Sequence, residues 1–168
     1  MTKIRGKFMK RITSAVLGAI LLISMLFSIP TSAFASSSGN CGTNGDNVTW
    51  TLTDDGTMTI SPGSSGEARM ADFVNNGASR PAWYDNRGDI KKLVIEEGVV
   101  NVSSYAFDHC YNLTEIDFGT IDTIGNNAFT NCTSLEHISL PSSFNWMYSS
   151  VFEGCTALKT AYLGERWW

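Results

Sequence analysis

The chain has 168 residues, with 12 Lys+Arg against 16 Asp+Glu, a formal net charge of −4, 43% hydrophobic residues and four cysteines. All five charges in residues 1–35 are basic, so the remainder carries 7 Lys+Arg against 16 Asp+Glu, a net of −9. A surface that acidic argues against nucleic acid or an anionic membrane as partner, and the length leaves room for about one domain.

The first element is a leader. Lys3, Arg5, Lys7, Lys10 and Arg11 precede a mostly apolar run from Ala15 to Ile29, and Ala33-Phe34-Ala35 puts small residues where a signal peptidase reads them. Residues 1–35 are expected to be a signal peptide cleaved after Ala35, with Met9 an alternative initiator. The competing reading, an uncleaved membrane anchor, fits poorly with Pro30 and the Ala-Phe-Ala site. No later apolar run is long enough to span a bilayer, so no membrane insertion is expected after cleavage. Ser38-Gly39-Asn40 lacks the apolar residue of a lipid-attachment site at Cys41, and no sortase-type signal is present downstream. The expectation is a secreted, extracellular protein, with cell-surface association left open.

Residues 36–89 read as a flexible N-terminal stretch leading into a β-hairpin cap. Residues 36–47 are rich in Ser, Gly and Asn, the composition of a flexible segment. Val48, Trp50 and Leu52 then alternate with Thr49, Thr51 and Thr53, Asp54-Asp55-Gly56 supplies a turn, and Met58 and Ile60 resume the alternation. Period-two patterning around Asp-Gly predicts two antiparallel strands with one buried face. A lone hairpin is unstable, so that face is expected to cover the open end of the downstream repeats. Met70, Phe73, Trp83 and Tyr84 should fold as a loop against the first of them.

Residues 90–168 repeat. Ala106-Phe107…Cys110…Leu113…Ile116…Phe118 recurs as Ala128-Phe129…Cys132…Leu135…Ile138…Leu140 and as Val151-Phe152…Cys155…Leu158…Ala161…Leu163. Ile90…Leu93…Ile95 is a partial earlier copy. The cysteines are 22 and 23 positions apart, the period of a stacked solenoid whose repeats bury their apolar residues only against neighbours. Ile116-Asp117-Phe118, Ile138-Ser139-Leu140 and Ala161-Tyr162-Leu163 should be short parallel strands with the middle residue outward. Phe107, Cys110 and Leu113, three apart, suit a helical or 3-10 turn with one inward face. Val99 and Val102 align with Ile121 and Ile124, then with Phe144 and Met147. The predicted fold is a β-rich α/β solenoid: a right-handed leucine-rich repeat stack of short parallel strands and short helical or 3-10 turns, preceded by an antiparallel hairpin cap.

Ile95-Glu96-Glu97-Gly98-Val99, Tyr105-Ala106-Phe107, Ile124-Gly125-Asn126-Asn127-Ala128-Phe129 and the Cys-x-x-Leu spacing resemble the BspA-like leucine-rich repeats of secreted and surface proteins of anaerobic bacteria. Cys41-Gly42-Thr43, Val48 to Leu52, Gly56 to Ser61 and Pro81-Ala82-Trp83-Tyr84 resemble the module that often precedes such repeats. The resemblance spans most of residues 40–163 and implies adhesion and protein binding, with no shared ligand and no catalytic residues to carry over. Two departures stand out: the repeats number three and a fraction, and Glu165-Arg166-Trp167-Trp168 supplies no polar capping repeat. An end exposing Leu163, Trp167 and Trp168 suggests a short or truncated chain, or self-association through that end.

No pattern in the sequence points to chemistry. Cys110, Cys132 and Cys155 share one repeat position and are expected to pack as buried thiols; a disulfide between adjacent rungs is the alternative, and Cys41 stands outside the column. A zinc site with His109 or His137 lacks both Cys-x-x-Cys and His-x-x-x-His spacing. There is no nucleophile elbow, phosphate loop or spaced carboxylate pair, so neither an enzyme nor a cofactor is expected. Contact residues are expected on the outward strand face: Lys92 and Val94, then Glu115 and Asp117, His137 and Ser139, Thr160 and Tyr162. Trp146, aligned with polar Asn101 and Thr123, is expected to be exposed as an anchor. The expected function is a non-enzymatic interaction module, binding a protein of a host or bacterial surface through the repeat sheet. The alternative is a carbohydrate-binding module using Trp146 and the terminal tryptophans. Sugar stacking should survive salt and fail on Trp146→Ala; a contact led by Glu115 and Asp117 should weaken with salt.

Overall fold

The computed structural model describes residues 35–74 and 79–164. The leader up to residue 34 and the terminal Trp167 and Trp168 lie outside the described residues. Strands β1 (Ala35–Gly42), β2 (Gly45–Thr53) and β3 (Thr57–Pro62) form an antiparallel meander. As the alternation predicts, Val48, Trp50, Leu52, Met58 and Ile60 are buried while the threonines between them face outward. Asp55 shapes the turn, its Oδ1 accepting from the Thr57 amide at 2.9 Å and the Thr53 hydroxyl at 2.5 Å.

One feature of this region differs from expectation. The Ser/Gly/Asn-rich segment, read as flexible, is strand β1 along the edge of β2, paired from Ala35↔Thr53 to Gly42↔Gly45. Main-chain pairing needs no apolar alternation, so composition gave no sign of it. Gly39 is required there: a Cβ would lie 2.9 Å from the Trp50 indole nitrogen on the partner strand. The hairpin closes the first end of the stack, its buried face sharing one core with the repeats. β3 pairs in parallel with β4, so that Met58 meets Leu93 and Ile60 meets Ile95. Joining edge to edge satisfies the backbone of the first repeat strand and continues its buried face.

The repeats comprise β4 (Lys92–Ile95), β5 (Asn101–Val102), β6 (Glu115–Asp117), β7 (Thr123–Ile124), β8 (His137–Leu140), β9 (Trp146–Met147) and β10 (Thr160–Leu163). They wind as a right-handed β-solenoid of mostly parallel short strands joined by short turns, after the mixed, partly antiparallel N-terminal sheet. β4 and β6 extend the first sheet, β8 pairs in parallel with β10, and β5, β7 and β9 form a second parallel sheet. The Phe-Cys-Leu spacing is a run of tight turns: Cys110 N–H donates to Phe107 O at 3.2 Å and Leu113 N–H to Cys110 O at 3.0 Å, with the same pattern one and two repeats on. A 3-10 turn, Tyr84–Asn86, precedes them. Tyr105, Asn127 and Ser150 share one left-handed corner (φ 57°, 55° and 55°), and His109, Asn131 and Gly154 another (φ 61°, 60° and 74°).

Stacked aromatic rings run through the core. Trp83, Phe107, Phe129 and Phe152 lie face to face with centroids 5.5, 5.4 and 5.5 Å apart. Trp83 also meets Trp50 and Phe73 edge-on and donates its indole N–H to Ala106 O at 2.8 Å, tying the cap to the repeats. Burial declines along the stack: Val99, Val102, Ile121 and Ile124 are enclosed, whereas Phe144, Met147, Phe152 and Leu158 are only partly covered.

Candidate functional site

The outward face of the repeat strands is built by simple alternation. Leu93, Phe118, Ile138 and Leu140 turn into the core, and their strand neighbours turn out. Glu115, Asp117, His137, Ser139 and Tyr162 are exposed, and Thr160 is half-buried. The register sets Lys92 beside Glu115 and His137 beside Thr160. Lys92 Nζ lies 2.6 Å from Glu115 Oε1, which raises the lysine pKa through that hydrogen bond. His137 Nδ1 lies 2.5 Å from Thr160 Oγ1, and Lys159 Nζ lies 2.7 Å from Glu136 Oε2, holding that carboxyl below its usual pKa. The face is therefore knitted from cross-rung pairs, which at full exposure add little stability. Asp117 engages its own chain instead, with Oδ1 accepting the Gly119 amide at 3.0 Å.

One discontinuity marks this face. β6 and β8 are neighbours without a shared hydrogen-bond ladder, and between them lies a groove of about 350 Å³. Glu115 and Asp117 line one wall and Ser139 the other, so three of the expected contact residues meet at one place. Trp146 does not join them. It stands 60% exposed on β9, in the other sheet. Its alignment partner Asn101 is buried, because residues 68–70 cover β5: Asn101 Oδ1 accepts the Met70 amide at 2.9 Å, and Ser103 Oγ donates to Met70 O at 2.9 Å. Tyr148, 54% exposed and edge-on to Trp146, was missed by sequence reasoning. Its column otherwise holds Ser103 and Gly125, and that small-to-aromatic change was the available signal.

The cysteines are core residues. Cys41, Cys110, Cys132 and Cys155 are buried and free, with Cys132 Sγ donating to Phe107 O at 3.3 Å and Cys155 Sγ to Phe129 O at 3.1 Å. At these two turns a thiol thus serves as a small apolar residue that also satisfies the carbonyl of the rung before it. His109, beside Cys110, is occupied in its corner by Asp108 Oδ1 at 2.8 Å and Asn131 Nδ2 at 3.2 Å. Among the described residues, no group of three or more His, Cys, Asp or Glu could hold a metal ion.

These thiols carry a pH prediction. Burial pushes Cys41 from 9.0 up to about 12 and raises Cys110, while Cys132 is raised by its hydrogen bond with Cys155 and by burial. The hydrogen bond that raises Cys132 lowers Cys155, so those two offset each other, whereas Cys41 and Cys110 ionise first in the unfolded chain, which loses protons that the folded state keeps. Their stability contribution is complete below about pH 9 and falls as pH rises above it, by about 1.4 kcal/mol per pH unit for each thiol. The melting temperature should be level from about pH 6 to 8 and drop beyond about 9. A Cys41→Ala/Cys110→Ala variant should drop less steeply; equal slopes for both proteins would contradict the assignment.

The family model for the BspA type leucine-rich repeat region, in six copies, matches residues 80–166. No curated protein matches the chain. Similar solved structures include a leucine-rich repeat protein from Eubacterium ventriosum, 18% identical with TM-score 0.44, the alignment covering 77% of this chain and 45% of that one. One from Bacteroides capillosus is 21% identical with TM-score 0.46, covering 76% and 98% respectively. A leucine rich cell surface protein from Faecalibacterium prausnitzii is 17% identical with TM-score 0.38, covering 70% and 41%. The chain spans less than half the length of the Eubacterium and Faecalibacterium proteins.

Proposed function

Because the chain belongs to the BspA-type leucine-rich repeat family and is a non-enzymatic repeat scaffold for protein interaction, we propose that it binds a surface protein through its outward strand face. The groove between β6 and β8 carries this reading. Glu115, Asp117 and Ser139 converge there, and its walls offer carboxylates and a hydroxyl above the apolar rim of Ile116 and Leu140. A partner presenting a basic or amide side chain would enter there, with Tyr162 as a flanking aromatic anchor. The basic, apolar leader supports secretion, and hence adhesion at a host or bacterial surface.

The test is site-directed photo-crosslinking of the purified chain on intact cells and matrix proteins. A photo-reactive residue at Ser139 should capture one discrete protein, and Asp117→Arg should abolish the capture. The same residue at Tyr111, on a turn, should capture nothing discrete. Equal labelling from both positions, or none from Ser139, would remove the strand face from consideration.

A further inference from the structure

We propose that a second groove, beside β5 and β7, is a saccharide site that takes a neutral oligosaccharide. The proposal does not rest on the strand-face reading, since the groove lies against the other sheet. It exists because residues 68–72 lie along β5 alone. Ala68 bridges Val99 and Met70 is held by Asn101 and Ser103, whereas Thr123 and Trp146 have no such cover. The segment forms a ledge, and half-buried Thr123 of β7 with the residues that follow β5 and β7 forms the floor. The resulting groove holds about 400 Å³, within the band of about 300–1,000 Å³ typical of small-ligand sites.

Its lining has the chemistry of sugar recognition. Arg69 and Asp72 stand on the ledge, Ser104, Thr123 and Asn126 on the repeat side, and the Tyr148 ring at the margin. A pyranose has one apolar C–H face and a rim of hydroxyls, each both donor and acceptor. Tyr148 offers its ring, with 54% of the residue surface open, and Trp146 packs edge-on against it at 6.4 Å. Asn126 is fixed in place, its Oδ1 accepting from the Ser149 amide at 3.2 Å and the Ser149 hydroxyl at 2.9 Å, which leaves its Nδ2 hydrogens for a ligand oxygen. Together with Asp72, Arg69 and Ser104, the groove presents donors and acceptors in mixed order, as hydroxyls require. An anionic ligand is disfavoured: Asp72 faces it, Arg69 is already 3.4 Å from Glu67, and the chain beyond residue 35 is acidic. An aliphatic ligand would strand these polar groups.

The experiment is calorimetric titration of the purified chain with four neutral hexasaccharides, β-1,4-linked glucose, xylose, mannose and N-acetylglucosamine. At least one should bind, with an affinity unchanged by about 0.5 M sodium chloride because no ion pair forms. Tyr148→Ala should weaken it about tenfold, whereas Tyr148→Phe retains it. Asn126→Asp keeps the acceptor for Ser149 and removes the Nδ2 donor, so binding should fall while the melting temperature holds. Asp117→Arg on the other sheet should change nothing, which separates this site from the strand face. Absence of binding to all four sugars would overturn the proposal. So would binding that survives both Tyr148→Ala and Asn126→Asp, or salt-sensitive binding of an unfolded polypeptide at Tyr148 without sugar binding.

Discussion

Phe129→Ala should cost about 3–5 kcal/mol and separate the unfolding of the last rungs from the rest of the chain. Phe129 is fully buried and touches three rings, stacked on Phe107 and Phe152 and edge-on to Phe118, with centroids between 5.4 and 5.7 Å. Removing it loses transfer energy, leaves a cavity and breaks both interfaces of one rung. A domain holds only about 5–15 kcal/mol in total, so much of that margin is at stake. In a stack, each rung depends on its nearest neighbours. The damage should therefore spread toward β10, where Phe152 and Leu158 are already partly exposed, and spare the cap and β4. Hydrogen exchange is the decisive readout: amides of β8, β9 and β10 should exchange rapidly while those of β2 and β3 stay protected. A single transition with uniform loss of protection would mean that the chain folds as one unit.

The repeated columns were legible because every rung solves the same packing problem with the same residue types. Phe107, Cys110 and Leu113 announce their turn, and Ile138 and Leu140 their strand, through spacing alone. What escaped was structure held by main chain or by distant segments. β1 pairs through its backbone and leaves no side-chain period. Tyr105, Asn127 and Ser150 share a left-handed corner but no side-chain chemistry, so the column shows only in φ. Asn101 and Trp146 align, yet one is buried and the other exposed, because residues 68–70 reach only the first of their three strands. The candidate site divides in the same way. Period two found Glu115, Asp117 and Ser139 as outward residues, but the missing ladder that opens a groove between them is a property of strand spacing. The second groove needed the ledge as well, which has no repeat to reveal it.

Trp83 stands where the cap and the repeats depend on one side chain, and two substitutions there should have different outcomes. It lies 24 positions before Phe107, close to the repeat period, and occupies the stack as a further aromatic rung. While stacking on Phe107 as a phenyl ring also could, the indole in addition reaches Trp50 in the cap and donates to Ala106 O at 2.8 Å. Trp83→Phe preserves a stacking ring but leaves a buried carbonyl without its donor and a gap beside Trp50, a loss of about 1–3 kcal/mol. Trp83→Ala removes the junction entirely and should cost about 3–5 kcal/mol or more. Because Met58 and Ile60 complete the β4 face, a loosened cap also exposes the first rung, and the remaining stack loses the end that closes it. Chemical denaturation monitored by tryptophan fluorescence should rank the proteins as wild type, Trp83→Phe, Trp83→Ala, with the alanine variant showing a separate early transition for Trp50. If the alanine variant unfolds in one step at the wild-type midpoint, the cap and the repeats are held together by the β3–β4 pairing alone, and the ring stack contributes nothing to their union.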